Sequence, residues 1–191
     1  MAEVLVADDA AATAWILAAL RNAGPAPVVL IDGPSGAGKS TLADALAAAW
    51  PTDRPAPQLL RSDDLVPGWD GLAAGSEALA DVLARRAHSA DASWRAWDWI
   101  ADAPGHLEVL RADHPVIVEG SGAVTVDTAA LADLVVWVEL DDEPERRRRA
   151  LERDGEVYAP HWERWAAQEA QHRRRHAPPA LADLVVDRTP R

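Results

Sequence analysis

One segment constrains this chain more than any other: residues 33–40 read Gly-Pro-Ser-Gly-Ala-Gly-Lys-Ser. They match the pattern G-x-x-x-x-G-K-[S/T], a turn whose backbone N–H groups can converge on phosphate oxygens because glycine has no Cβ to obstruct them. The apolar run Val28–Ile31 precedes the turn, and the Ala- and Leu-rich stretch Thr41–Trp50 follows it. A strand, a tight turn and a helix in this order predict a phosphate-binding loop at the carboxyl end of a buried strand.

The rest of the chain alternates between short apolar runs and helical periodicity. Further strands are predicted at Leu59–Ser62, Pro115–Glu119, Leu134–Leu140 and Leu184–Val186. Short apolar strands separated by helices are typical of a parallel sheet with helices on both faces. We therefore predict a three-layer α/β fold of the P-loop NTPase type, with residues 1–191 in a single domain. Within it we expect an N-terminal helical extension at 1–23, and a helical lid with the helix that follows it at about 142–177.

Composition narrows the classes of partner. The chain carries 19 basic and 31 acidic side chains, a formal net charge of −12, which disfavours binding along a nucleic-acid backbone. Because cysteine is absent, disulfides, thiolate metal sites and Cys nucleophiles are excluded. We find no apolar stretch long enough for a membrane span and no signal-peptide pattern. We expect a cytoplasmic protein that binds neither nucleic acid nor membrane, with homo-oligomerisation left open.

The loop also indicates a ligand. Lys39, the only lysine in the chain, would reach the β- and γ-phosphates of a nucleotide, and the Ser40 hydroxyl would ligate Mg²⁺. The guanine-recognition motif N/T-K-x-D is absent because it needs a second lysine, and the chain is short for an ATPase motor. A small kinase using ATP and Mg²⁺ is the best match, while the choice between ATP and GTP stays open. The residues predicted to hold the nucleotide are Gly33, Ser35, Gly36, Ala37, Gly38, Lys39, Ser40 and Thr41.

Acidic residues at two strand ends are candidates for acid–base and metal chemistry. Asp63 and Asp64 follow a predicted strand, at the edge of the sheet where ligands bind in open α/β folds. A carboxylate there could orient or accept the proton of an acceptor hydroxyl, and we favour Asp63; a helix N-cap is the alternative role. Glu119 ends another predicted strand, where an acid that orients the Mg²⁺ shell would lie. The predicted metal-site residues are Ser40, Asp63 and Glu119.

Four consecutive arginines, residues 146–149, belong to a strongly basic predicted helix. Arg146, Arg149 and Arg153 are spaced so that they share one helix face. We predict that this face closes over the transferring phosphate, since guanidinium groups stabilise charge on its equatorial oxygens. The alternative is a solvated helix whose arginines are neutralised by neighbouring acids such as Glu145 and Glu152.

Tryptophan supplies nearly all the aromatic side chains, since the chain has nine Trp, one Tyr and no Phe. Trp94, Trp97 and Trp99 form a dense cluster in which rings could cover an acceptor molecule. Asp98 lies within this cluster, where its carboxylate could hold a pair of hydroxyls; a lone buried carboxylate would be costly as part of a core. Core packing is the alternative role for the rings. The residues predicted to bind the acceptor are Asp63, Trp69, Trp94, Trp97 and Asp98.

Taken in order, these segments resemble the uridine/cytidine kinase-like group of P-loop nucleoside kinases. The likeness extends from about Val28 to Asp187. It comprises the phosphate loop, the Asp after the second strand, V-x-V-E-G, an R-x-x-R-x-x-x-R-D helix and a closing A-D-x-x-V strand. The resemblance implies that Asp63 is the catalytic Asp, that Asp98 holds ribose hydroxyls, and that Glu119 is the acid of the third strand. It also implies that the lid helix contains Arg146, Arg149, Arg153 and Asp154.

We therefore predict an ATP-dependent kinase that transfers the γ-phosphate to a hydroxyl of a small molecule, a nucleoside being the acceptor that the resemblance implies. The residues predicted to be catalytic are Lys39, Asp63, Arg146, Arg149 and Arg153. One alternative is a kinase for a non-nucleoside acceptor, such as a sugar acid or an antibiotic hydroxyl. Another is a nucleotide-binding regulatory module without transfer activity. The acid and the arginine face favour transfer, because nucleotide binding alone needs neither.

Overall fold

The computed structural model describes residues 3–5 and 8–190, which form a layered α/β fold. The strands are β1 (Glu3–Leu5), β2 (Val28–Asp32), β3 (Gln58–Arg61), β4 (Ala92–Asp98), β5 (Ala103–Leu110), β6 (Val116–Glu119), β7 (Leu134–Glu139) and β8 (Leu184–Asp187). The helices are α1 (Asp9–Ala19), α2 (Lys39–Ala48), α3 (Leu72–Ala87), α4 (Val126–Ala129), α5 (Glu143–Tyr158), α6 (Trp162–His176) and α7 (Pro178–Leu181). No helix in these residues has the length and apolar character needed to cross a membrane.

The main sheet is parallel throughout. Its strands are ordered β1-β8-β7-β2-β6-β3, and every neighbouring pair runs in the same direction. All five residues of β2 are buried, as its continuous apolar run predicts for a strand covered on both faces. The predicted parallel sheet flanked by helices is confirmed.

Alternate residues of the central strands belong to two separate cores. Val29 packs in a cluster with Ile16 of α1 and residues of α2. Leu30, its neighbour in sequence, packs in a second cluster with Leu79 of α3. Because successive side chains of a strand point to opposite faces, one sheet supports both helical layers, which gives three layers in all.

Three strand ends lie side by side at the edge that carries the site. The register pairs Glu119 of β6 with Ile31 of β2 on one side and with Arg61 of β3 on the other. The chain segments that leave these strands are therefore neighbours in space, although they are far apart in sequence. They are the phosphate loop, the 3₁₀ turn Ser62–Leu65 and the turn that begins at Gly120.

The N-terminal segment differs from the helical extension predicted for residues 1–23. Glu3–Leu5 form an edge strand that pairs with β8, and helix α1 begins only at Asp9. The Asp8 carboxylate caps that helix by accepting the N–H of Ala11 at 2.9 Å. Three residues carry too little pattern to predict a strand, and the partner of this one lies at the other end of the chain. The remaining residues of the extension before Asp8 lie outside the described residues.

Two segments extend from this edge of the sheet. Strands β4 and β5 form an antiparallel hairpin, a second sheet that the sequence did not predict as a pair. Helices α5 and α6 occupy the segment predicted as a lid with its following helix, and Gly155 interrupts α5 with φ 63° and ψ −145°. A third apolar cluster, which includes Tyr158, Trp162 and Trp165, packs these helices against Leu72 of α3.

Candidate active site

A cleft of about 610 Å³ opens at the carboxyl ends of β2, β6 and β3. Its floor comes from the phosphate loop and the strand ends, and its walls come from α5, α6 and the loops near Trp69 and Trp99. The lining residues are Ser35, Lys39, Ser40, Asp44, Arg61, Asp63, Trp69, Trp99, Glu119, Gly120, Ser121, Arg153, Asp154, Val157, Tyr158 and Trp165. This combination brings one lysine, two arginines and several acids together with four aromatic rings.

The phosphate loop adopts a conformation that depends on glycine. Gly36 and Gly38 have φ values of 79° and 98°, which L-residues rarely adopt. A Cβ at Gly36 would collide with the backbone carbonyl of Arg146, and one at Gly38 would collide with the guanidinium of Arg188. Helix α2 then begins at Lys39 with no side-chain cap. Its first N–H groups and its positive dipole end are therefore available to an anion.

Lys39 is buried and held within the loop. Its Nζ donates to the backbone carbonyl of Pro34 at 3.1 Å and to Oγ of Ser121 at 3.2 Å. Both hydrogen-bond partners are neutral; among the described residues, the carboxylate of Asp63 lies near enough to interact electrostatically with the ammonium group, but no carboxylate forms an ion pair with it. A buried charge is costly unless an anion lies nearby, and a phosphate bound at the loop would be such an anion.

Ser40 and Glu119 meet where a magnesium ion would be expected. The Ser40 hydroxyl lies 3.1 and 3.2 Å from the two carboxylate oxygens of Glu119. Glu119 is buried and also accepts a 2.6 Å hydrogen bond from Arg61, which in turn contacts Asp44 at 3.2 Å. No group of three or more His, Asp or Glu suited to a metal occurs in the part of the chain that the structure describes. Mg²⁺ takes few protein ligands and completes its shell with phosphate oxygens and water.

Asp63, rather than Asp64, reaches the cleft. It lies in the 3₁₀ turn after β3, where burial, with the negative charge of Glu119 as a second cause, raises the pKa of its carboxyl to about 6. The residue itself is solvent-exposed through the opening of the cleft, so the desolvation of its carboxyl comes from the surrounding cleft walls and not from enclosure in a core. Asp64 is not among the lining residues, and burial followed by the charge of Glu108 raises its pKa.

The three lid arginines do not act on the cleft together. Only Arg153 lines it, in a bidentate ion pair with Asp154 at 2.8 and 2.7 Å. Arg146 lies two helical turns away, where it donates to the carbonyl of Ser35 at 3.2 Å and lies over the ring of Trp162. Arg149 pairs with Glu145 at 2.8 Å. The spacing predicted a common face; in the structure the three side chains are separated along the helix and have different partners.

Acids of the same helix neutralise part of its arginine run. Glu145 accepts from Arg148 as well as from Arg149, and these two guanidinium groups lower the pKa of Glu145 to about 2. Arg148 also pairs with Glu152 at 2.5 Å. The solvated-helix alternative therefore describes Arg148 and Arg149, whereas Arg153 lines the cleft even though it pairs with Asp154.

Three residues predicted to bind the acceptor lie outside the lining of the cleft. Trp94 packs against the second core cluster, and Trp97 lies beside Gly68. Asp98 is exposed and caps the turn between β4 and β5, where its carboxylate accepts from the N–H groups of Ile100 and Ala101 at 3.0 and 2.9 Å. These two hydrogen bonds lower the pKa of Asp98. A turn, rather than a ligand, thus satisfies the carboxylate.

The aromatic side of the cleft comes from other residues. Trp69 and Trp99 have ring centroids 4.8 Å apart, and Trp165 of α6 lies 6.2 and 6.3 Å from them. We call these three rings the aromatic wall. Tyr158 stacks on Trp69 at 5.4 Å, and the indole of Trp99 donates to the backbone carbonyl of Asp63 at 3.3 Å. The wall therefore lies directly beside the candidate base.

Sequence reasoning missed several residues of this site. Trp165 stands three residues after Trp162 in a polar helix, a spacing that indicates one apolar face but gives no location for it. Ser121 and Arg61 lie at or next to the ends of predicted strands. Because ligands bind at the carboxyl ends of strands in such sheets, this position could have identified both as site residues. Glu169, which binds the phosphate loop, carries no sequence signal that distinguishes it from Glu163, the other acid of its helix.

Comparison with known families shows which family the chain belongs to. Residues 29–169 match the family model described as an AAA domain. This chain belongs to that family. The match spans the phosphate loop, both acidic strand ends and the lid helices, so it covers the whole of the site described above. The expected resemblance to P-loop nucleoside kinases is confirmed for the fold.

Solved structures show the same fold at low sequence identity. A candidate uridine kinase from Bacillus stearothermophilus matches with a TM-score of 0.67 and 20% identity, over 94% of this chain and 97% of its own. A candidate fructose transport system kinase from Silicibacter sp. TM1040 matches with a TM-score of 0.65 and 18% identity, over 94% and 98%. Among curated proteins, none matches the chain significantly. This AAA domain protein therefore has a kinase-like P-loop fold.

Proposed function

We propose that this protein is an ATP-dependent kinase that phosphorylates a hydroxyl group of a small molecule. One observation carries the proposal: a single cleft holds the phosphate-loop lysine, the Ser40–Glu119 pair and the carboxylate of Asp63. Nucleotide binding alone does not require a carboxylate base next to the phosphates. Both structural neighbours named above are described as kinases, which supports the same reaction class.

The phosphate loop would bind the ATP phosphates. Its backbone N–H groups and the start of α2 offer hydrogen-bond donors, and Lys39 offers a positive charge that has only neutral partners within the loop. The residues proposed to hold the nucleotide are Gly33, Ser35, Gly36, Ala37, Gly38, Lys39, Ser40 and Thr41. When bound, Mg²⁺ would neutralise charge on the phosphate oxygens, and Ser40 with Glu119 would hold it.

Asp63 is the proposed base. Its ionised carboxylate accepts a hydrogen bond from the acceptor hydroxyl and takes the proton as the oxygen bonds to the γ-phosphorus. The bond between that phosphorus and the β–γ bridging oxygen breaks, and ADP leaves. Arg153 offers a guanidinium to the equatorial oxygens of the transferring group, once its ion pair with Asp154 loosens or reorients.

The acceptor is proposed to bind against the aromatic wall. Trp69, Trp99 and Trp165 present flat apolar surface next to the base, which suits a ring-bearing alcohol. Uridine and fructose, the compounds named in the descriptions of the two neighbours, are the first acceptors to test. We further propose that the protein acts in the cytoplasm and on small molecules only; its net charge of −12 supports the second part, since it disfavours binding to nucleic acid.

An acceptor screen tests the proposal. ADP formation is followed with ATP and Mg²⁺ while nucleosides, sugars, sugar acids and amino-alcohols are added one at a time. We expect ADP formation to depend on one class of acceptor and to be lost in Lys39→Ala and Asp63→Asn. Asp64→Asn is the matched control, since Asp64 lies next to the base but outside the cleft. Nucleotide binding without turnover on any acceptor would support the regulatory module instead.

A further inference from the structure

Glu169 on helix α6 binds the phosphate loop and lies behind the residues that line the cleft. One oxygen of its carboxylate, Oε1, accepts three hydrogen bonds. The donors are the backbone N–H of Ser35 at 2.7 Å, the hydroxyl of Ser121 at 2.7 Å and the indole N–H of Trp165 at 3.0 Å. Three donors on one oxygen mark a carboxylate that the fold holds in a fixed position.

Ser121 extends this contact to the phosphate-loop lysine. Lys39 donates to Oγ of Ser121 at 3.2 Å, so that oxygen serves as an acceptor. The single proton of the hydroxyl is then free to donate to Glu169 at 2.7 Å, a shorter contact than the 3.2 Å to the carbonyl of Gly33. Glu169 thereby turns the lone pairs of Ser121 towards Lys39 and fixes where the ammonium group lies.

The same carboxylate also contacts the acceptor side of the cleft. Trp165, its third donor, is part of the aromatic wall, and its ring lies 6.3 Å from that of Trp99. A movement of α6 that follows binding at the wall would carry Glu169 with it. The phosphate loop and the lysine would then respond to it, because Ser35 and Ser121 bind the same oxygen.

We propose that Glu169 is a positioning residue that sets the geometry of Lys39 for nucleotide binding and couples helix α6 to the phosphate loop. It acts through Ser121 and Ser35 and touches no substrate itself. The proposal rests on the proposed function only in that the loop binds a nucleotide; it does not depend on which acceptor is used.

The test uses binding of a non-hydrolysable ATP analogue with Mg²⁺, measured by calorimetry on the full chain. Glu169→Gln keeps an oxygen acceptor for all three donors and removes only the charge, whereas Glu169→Ala removes the acceptor. We expect Glu169→Ala to weaken binding about tenfold or more, and Glu169→Gln to recover much of that loss. Glu163→Gln, an exposed acid on the same helix, should bind like the wild type.

A double-mutant cycle separates positioning from a purely structural role. Ser121→Ala breaks the link to Lys39 and leaves the bond from Ser35 to Glu169 in place. If Glu169 acts through Ser121, the loss of affinity in the double variant will be smaller than the product of the two single losses. Thermal unfolding of each variant shows whether it folds. If Glu169→Ala does not fold, the affinity of Glu169→Gln is compared directly with that of the wild type and of Ser121→Ala.

Two results would overturn the inference. One is unchanged affinity in a folded Glu169→Ala variant. The other is tighter binding, which would mean that the carboxylate opposes the phosphates. The two proposals fail in different ways: if the wild type binds the analogue but transfers phosphate to no acceptor, the kinase proposal fails and the role of Glu169 can still be measured.

Discussion

The phosphate side and the acceptor side of the cleft are built differently. The phosphate side consists of consecutive residues, since the loop and the start of α2 supply Lys39 and Ser40 within one short segment. The acceptor side combines the loop at Trp69, the hairpin turn at Trp99 and helix α6 at Trp165. Contiguous sites are visible in a sequence because local geometry determines them, whereas assembled sites appear only once the packing is known.

This difference predicts two kinds of variant. Changes on the phosphate side should reduce transfer to every acceptor, because the donor is common to all of them. Changes on the acceptor side should depend on the acceptor, and those that leave Glu169 and its partners in place should not change ATP binding. The experiments below test that division.

Lys39→Ala is expected to have the largest effect. The lysine is buried, with only neutral partners in the loop, so its removal takes away the charge proposed for the phosphates. We expect kcat to fall by about 10²–10³-fold with every acceptor. Steady-state ADP formation with two unrelated acceptors measures this. If kcat falls with only one of the two acceptors, the proposed division between a phosphate side and an acceptor side is wrong.

Asp63→Asn follows in size. The amide keeps the shape of the side chain but cannot take a proton, so kcat should fall by about 10²-fold. Affinity for the ATP analogue should change little, since the proposed partner of Asp63 is the acceptor hydroxyl. Rate and analogue affinity are measured in the same preparation, with Asp64→Asn as the control. Equal activity in Asp63→Asn and wild type would remove Asp63 from the mechanism.

The pH profile provides a test without a mutation. Burial and the charge of Glu119 raise the pKa of Asp63 to about 6, and the base works only when ionised. As pH falls, kcat/KM for the acceptor should therefore decline through about pH 6, well above the ordinary pKa of 3.8 for an aspartate. Asp63→Asn should lose this acidic limb from its residual activity. An unchanged limb in that variant would assign it to another group.

The sequence predicted most of the fold but only part of the site. Short, continuous apolar runs predicted every strand of the parallel sheet except β1, because a strand buried on both faces is apolar at successive positions. Strand β5 was not predicted, since half of its residues are exposed and it contains Pro104 and Gly105. Burying the Asp98 carboxylate without a partner would be costly, which made a ligand the expected partner. The side chain is instead exposed, and its carboxylate accepts hydrogen bonds from backbone N–H groups. Only the packing reveals such partners.

A pair of tryptophan variants compares predicted and observed acceptor residues. Trp165 lines the cleft, whereas Trp94 packs against the core below the hairpin. Trp165→Phe keeps a ring but removes area and the indole donor, and should raise the acceptor KM about tenfold. Trp94→Phe should leave that KM unchanged and lower the unfolding temperature. A raised acceptor KM in Trp94→Phe would mean that the β4–β5 hairpin contributes to acceptor binding after all.

Asp98→Ala should have the smallest effect and decides between the two roles of that carboxylate. If Asp98 only caps the turn, the variant will unfold at a slightly lower temperature and keep the acceptor KM of the wild type. The sign of its pH dependence follows from the lowered pKa: the cap stabilises the fold above the ordinary pKa of 3.8, and the benefit disappears as pH falls through the depressed value. The stability difference between wild type and Asp98→Ala should therefore shrink towards acidic pH. If Asp98 instead binds acceptor hydroxyls, the variant will raise KM for diols and not for mono-alcohols, because only a pair of hydroxyls can use both carboxylate oxygens.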